Sequence, residues 1–90
     1  MKAENQKMKQ YLASNGIKAT PKFLWKGSLK GTWRLYNLKT KWWENYELMQ
    51  RLTSLGFKDF DGDHLDNYSG NGGMFHIFAR FDKTTEFINR

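Results

Sequence analysis

Two alternating segments joined by the stretch GSLKG constrain the fold of this chain more than any other feature of its sequence. Residues 18–26 and 32–38 place apolar side chains at every second position, which predicts the two strands of a β-hairpin. Side chains alternate between the faces of a strand, so only a connection with an odd number of residues brings the apolar residues of both strands to one face. Those residues are Phe23, Trp25, Trp33 and Leu35. We therefore expect a three- or five-residue connection within GSLKG, with Gly27 or Gly31 at positive φ.

Helical periodicity surrounds this hairpin. Residues 4–14 predict a first helix with Met8, Tyr11 and Leu12 on one side, ended by the Asn-Gly pair at 15–16. Residues 41–55 predict a second helix that begins after Thr40 and ends at Gly56. Its broad apolar arc comprises Trp42, Asn45, Tyr46, Leu48, Met49, Leu52 and Leu55, whereas Trp43 falls outside the arc.

The C-terminal third predicts further strands. Residues 57–68 suggest a small hairpin with the Asp-Gly pair at 61–62 as its turn. Residues 74–81 alternate most regularly and predict a strand, and residues 82–90 predict a short helical turn or a frayed tail. The expected fold is an α+β two-layer sandwich in the order α-β-β-α-(β)-β. Two helices pack on one face of a mainly antiparallel sheet, in a single domain over residues 1–90.

Composition narrows the functional classes. The chain has no cysteine, which excludes disulfides, thiolate zinc sites and thiol catalysis. We expect a cytoplasmic protein, and we expect no contact with a membrane, because no stretch approaches the roughly 18 apolar residues of a spanning helix. The net charge of +6 is unevenly distributed: ten cations face one acid through Lys41, and five cations face eight acids after it. This asymmetry favours a basic surface aimed at a polyanion, although solubility alone also explains a basic domain.

Three features of the sequence resemble catalytic or metal-binding motifs, but each lacks something that the chemistry requires. The glycines of SGNGGM at 69–74 lead into a strand, whereas a phosphate-binding loop leads into a helix and needs a lysine. The acidic stretch 59–66 has His64 where a calcium loop requires glycine. Neither His64 nor His76 has a nucleophile that the sequence identifies as its partner. We therefore expect no catalytic residue, metal or cofactor, and an enzyme that uses His64 with an aspartate of segment 59–73 remains an alternative.

The remaining candidate is a basic and aromatic face of the sheet, turned away from the helices. Its predicted members are Lys22, Lys26, Arg34, Tyr36, His76, Phe78 and Arg80, with Lys30 on the adjoining turn. Cations that follow phosphates and aromatic rings that stack on bases are typical of single-stranded nucleic-acid binders. We expect a non-enzymatic domain that binds RNA or single-stranded DNA.

Two alternatives stay open. The apolar members of this face, Leu24, Met74 and Phe78, could instead be covered by the glycine-rich loop, by the C-terminal tail or by a second subunit. The chain could also be a protein-interaction module, an inhibitor or accessory factor that meets an acidic partner, with Trp43 as an exposed contact. The expected state is a monomer or a weak homodimer. No motif in the sequence identifies a family.

Overall fold

The chain folds into one antiparallel sheet with helices on one face. The computed structural model describes residues 2–39, 45–61 and 74–88, and at 37, 39, 45 and 74–76 it describes the backbone alone. The elements are α1 (Ala3–Ser14), β1 (Thr20–Phe23), β2 (Trp33–Lys39), α2 (Asn45–Leu55), β3 (Phe57–Asp61), β4 (Met74–Phe81) and α3 (Thr84–Phe87). The strand order is β1-β2-β4-β3, so the last strand lies between the second and the third. The predicted fold class and element order are confirmed.

The odd number of residues predicted for the hairpin connection is confirmed, but the predicted length of three or five residues is wrong. Phe23 pairs directly with Trp33, so both rings lie on the inner face with Leu35. The regular strand ends at Phe23 and not at residue 26, and the connection from 24 to 32 is longer than the five residues expected. Gly27 and Gly31 both have positive φ, and the Lys30 N–H donates to the Gly27 carbonyl at 3.2 Å. The connection is therefore a structured turn that carries Lys26 beyond the sheet.

Helix α1 ends as the Asn-Gly pair predicts. Gly16 has a φ of 77°, and the N–H groups of Gly16 and Ile17 donate to Ala13 and Leu12, which is the Schellman arrangement. The inner side of α1 buries Met8 and Leu12 completely against the sheet. Because both side chains are one helical turn apart, they form the single apolar stripe that the sequence predicts.

Helix α2 buries Leu48 and Leu52 and ends before Gly56, whose φ is 112°. One member of the predicted apolar arc is misplaced: Tyr46 is 74% exposed. Tyr46 lies in the first turn of the described helix, where its side chain is not covered by the sheet. The predicted start of this helix after Thr40, together with Trp42 and Trp43, lies outside the described residues.

The segment after β4 is part of the core. Residues 84–87 form the short helix α3, as one of the two predicted states of the tail, and Phe87 is buried. The Phe87 ring packs edge-on against Tyr11 and Phe81, with ring centroids 5.3 Å apart in each pair. The indole N–H of Trp33 donates to the Thr84 hydroxyl at 3.1 Å. Aromatic contacts and one partly buried hydrogen bond thus attach α3 to α1 and the sheet.

Two irregularities shape the outer strands. Strand β3 pairs with β4, and the second arm of the small hairpin predicted over 57–68 lies outside the described residues. Its register shifts between Lys58 and Asp61, where Asp59 has a φ of 55°. At the opposite edge, Pro21 has no N–H, and the Phe23 N–H donates to the Asn5 side chain at 3.0 Å. The free edge of β1 therefore offers no backbone donor at these two positions to an added strand.

Candidate nucleic-acid interface

The outer face is the side of the sheet opposite the helices. Its described members, two on each strand, are Thr20, Lys22, Arg34, Tyr36, Phe78, Arg80, Lys58 and Asp61. They alternate with the buried residues of the same strands, such as Leu35, Ile77 and Ala79. Five of the predicted site residues thus lie together on this face: Lys22, Arg34, Tyr36, Phe78 and Arg80.

Arg34 is the centre of the outer face. Its guanidinium carbon lies 4.9 Å from the ring centroid of Tyr36 and 6.0 Å from that of Phe78. Both distances are within the range of cation–π attraction. The Nε atom of Arg34 is buried and makes no hydrogen bond to any residue that the structure describes. Contact with the two rings therefore positions the guanidinium.

Strand pairing explains why these three residues meet. Arg34 and Phe78 are direct cross-strand partners on the two central strands, and Tyr36 follows Arg34 on the same face of β2. The β2–β4 register shifts between Leu35 and Leu38, and this bulge returns Leu38 to the core, where it is 1% exposed. Tyr36 can consequently stay on the outer face while both of its apolar neighbours in β2 remain buried.

The positive charge of the outer face is concentrated toward β1. Lys22 is exposed and pairs with Arg34 across β1 and β2. The sequence has no acidic residue between Glu4 and Glu44, so β1, the hairpin connection and β2 carry no carboxylate. The acids of the described sheet, Asp59 and Asp61, lie on β3 at the opposite edge. A polyanion would therefore be attracted to the β1–β2 half of the face.

Arg80 extends the basic surface toward the hairpin turn. An added Cβ on Gly31 would lie 3.4 Å from its Nη1 atom, so the guanidinium rests close to the turn backbone. Its Nε atom is 3.9 Å from an Asp59 carboxylate oxygen, a long and exposed ion pair. Lys26 and Lys30 are exposed on the turn itself, so Lys26 belongs beside Lys30 and not on the strand face where it was predicted.

Lys58 and Asp61 are members of the outer face that sequence reasoning missed. Lys58 pairs with Arg80 across β3 and β4, and its ammonium group lies 3.0 Å from Asp82. The hydrogen bond to Asp82 and its negative charge raise the pKa of the Lys58 ammonium above its ordinary value. The alternation of FKDFD could have indicated a strand, but only the pairing of β3 with β4 shows which side chains reach this face.

Several predicted residues lie outside the described part of the chain. These are Trp43, His64, the glycines of 69–73, and the side chains of Met74 and His76. Within the described ranges, no group of three or more His, Asp or Glu residues could hold a metal ion. No helix over residues 2–39, 45–61 or 74–88 is long and apolar enough to cross a membrane.

Comparison of the chain with protein-family models, curated proteins and solved structures gave no match.

Proposed function

We propose that this chain is a small, non-enzymatic domain that binds single-stranded nucleic acid, RNA or DNA, through the outer face of its sheet. The observation that carries the proposal is the position of the Arg34 guanidinium, 4.9 Å from the Tyr36 ring centroid and 6.0 Å from the Phe78 ring centroid, in the acid-free β1–β2 half. Aromatic rings and guanidinium planes provide surfaces on which unpaired bases stack. Neighbouring lysines supply the charge that holds phosphates.

The charge of the face sets the expected dependence on salt. Each phosphate contact on a single strand contributes about −0.7 to the slope of log K against log salt concentration. The five cations near the β1–β2 half and the turn are Lys22, Lys26, Lys30, Arg34 and Arg80. If all of them contact phosphates, the slope approaches about −3.5. A duplex should bind more weakly than a single strand, because its paired bases cannot stack on the rings of the outer face.

The test is a titration of a fluorescein-labelled oligo-dT or oligo-rU of about 12 nucleotides, followed by anisotropy at several salt concentrations. Lys22→Ala should weaken binding and make the salt slope less steep by about 0.7. Tyr36→Leu and Phe78→Leu should each weaken binding by about 1 to 3 kcal/mol and leave the slope unchanged, since stacking releases no counterions. The matched control is Lys9→Ala, which removes the same charge from the exposed side of α1.

Arg34→Lys separates charge from stacking. Lysine keeps the positive charge but lacks the planar guanidinium that contacts the two rings. We expect weaker binding at an unchanged salt slope. If Lys22→Ala and Lys9→Ala have equal effects, or if no oligonucleotide binds at low salt, the proposed function is wrong.

A further inference from the structure

One cross-strand row of residues on the outer face is positively charged at its β1 end and negatively charged at its β3 end. Lys22 on β1 pairs with Arg34 on β2, Arg34 pairs with Phe78 on β4, and Phe78 pairs with Asp61 on β3. Neighbouring strands are about 4.8 Å apart, so the row spans about 14 Å. It places two cations, an aromatic ring and a carboxylate in that order.

This order matches the parts of one nucleotide. If Lys22 and Arg34 hold a phosphate, the attached base can reach the Phe78 ring, because Phe78 lies one strand spacing from Arg34. The far edge of that base then points toward β3 and the exposed side chain of Asp61. Since Phe60 packs against the core, alternation along β3 turns Asp61 to the outer face.

We infer that Asp61 selects the base that stacks on Phe78, favouring one whose Watson–Crick edge carries N–H donors, and guanine above the others. This inference rests on the proposed function, since it names the base that the same face would prefer.

Hydrogen-bond chemistry ranks the bases. Guanine presents two adjacent donors, N1–H and the N2 amino group, which match the two oxygens of a carboxylate. Adenine and cytosine each present one amino donor beside an acceptor nitrogen. Uracil and thymine present one N–H between two carbonyl oxygens, which the negative charge of Asp61 repels. An ionised carboxylate has about four acceptor positions, so it can accept hydrogen bonds from a base in addition to a contact within the protein.

The test compares oligo-dT strands of about 10 nucleotides that differ at one central position: thymine, guanine or hypoxanthine. Hypoxanthine keeps the purine rings and N1–H of guanine but lacks the N2 amino group, so it separates stacking from the second hydrogen bond. Anisotropy titrations at low salt give the affinity ratios. We expect the guanine strand to bind about fivefold more tightly than the thymine strand, near the lower end for a bidentate contact because Asp61 is exposed, with hypoxanthine between them.

Asp61→Asn should reduce the ratio of affinities for the guanine and thymine strands to about one, because an amide offers only one acceptor oxygen and no negative charge. The control Glu47→Gln removes the same charge from the exposed surface of α2 and should keep the preference. Two results overturn the inference while the strands still bind: equal affinity of the wild type for all three, or a guanine preference that survives Asp61→Asn. Failure of every strand to bind removes the proposed function itself, and the base preference with it.

Discussion

The hydroxyl of Thr84 gives a sharp test of how the C-terminal segment is attached. Its oxygen accepts a hydrogen bond from the indole N–H of Trp33 at 3.1 Å, and its O–H donates one to the Phe81 carbonyl at 2.6 Å. Trp33 is fully buried, so its N–H depends on this partner among the described residues. Thr84→Val keeps the shape of the side chain and removes both hydrogen bonds.

The loss of these two hydrogen bonds determines how far Thr84→Val should lower the free energy of unfolding. A buried donor without a partner costs about 1 to 3 kcal/mol, and loss of an ordinary hydrogen bond costs about 0.5 to 1.5 kcal/mol. Thr84 is half-buried, so water can recover part of this energy at the Phe81 carbonyl. We expect Thr84→Val to lower the free energy of unfolding by about 2 kcal/mol, or to lower Tm by about 8 to 16 °C in a domain of this size.

Urea unfolding followed by tryptophan fluorescence and circular dichroism measures this change. Thr84→Ser keeps the hydroxyl and should lose less than about 1 kcal/mol. Thr85→Val makes the same substitution at the exposed neighbouring position and should stay within about 0.5 kcal/mol of the wild type. If Thr84→Val is as stable as Thr84→Ser, the hydrogen bond to Trp33 does not hold α3 in place.

Two further predictions concern the hairpin turn and the β3 edge. Gly27→Ala and Gly31→Ala should each lower the free energy of unfolding by about 1 kcal/mol, because both positions have positive φ. Only Gly31→Ala should also alter the salt slope of oligonucleotide binding, since its new methyl group contacts the Arg80 guanidinium. Equal salt slopes for the two variants would contradict this. Asp82 raises the pKa of Lys58 in the folded protein. The stability contributed by this ion pair is therefore fully present below the pKa of Lys58 in the unfolded chain, about 10.4. It is lost as the pH rises through the higher pKa of Lys58 in the folded protein. The stability difference between wild type and Lys58→Met should therefore shrink above about pH 10.4, and a constant difference in urea unfolding from pH 8 upward would refute the assignment.

Local alternation predicted the strands well because it records which side chains are buried. The bounds of β4 match residues 74–81, and the odd parity of the hairpin places Phe23 and Trp33 on one face as expected. The predicted length of the hairpin connection is wrong because the alternation of side chains determines only that the number of residues is odd. Backbone hydrogen bonds such as that from Gly31 to the Leu24 carbonyl, at 2.9 Å, determine how long it is.

Pairing between distant strands could not be predicted in the same way. Nothing in the alternation of residues 57–61 indicates that they pair with β4, so Lys58 and Asp61 were not placed on the outer face. Helical spacing places Tyr46 in the apolar arc, but spacing alone does not show whether another element covers the side chain, and Tyr46 is 74% exposed. The structure places Arg34 and Phe78 together as expected, while their role in binding nucleic acid stays a prediction.

The position of β4 between β2 and β3 also has a consequence for folding during synthesis. β1 and β2 can pair as a local hairpin as soon as they are made, but among the described strands β3 has no neighbour until β4 inserts beside it. The aromatic contacts of Phe87 with Tyr11 and Phe81 form later still. A nascent chain that stops before β4 therefore leaves unpaired the edge of β2 to which β4 bonds, and an unpaired strand edge favours aggregation. The four-stranded sheet can close only after residues 74–81 have left the ribosome.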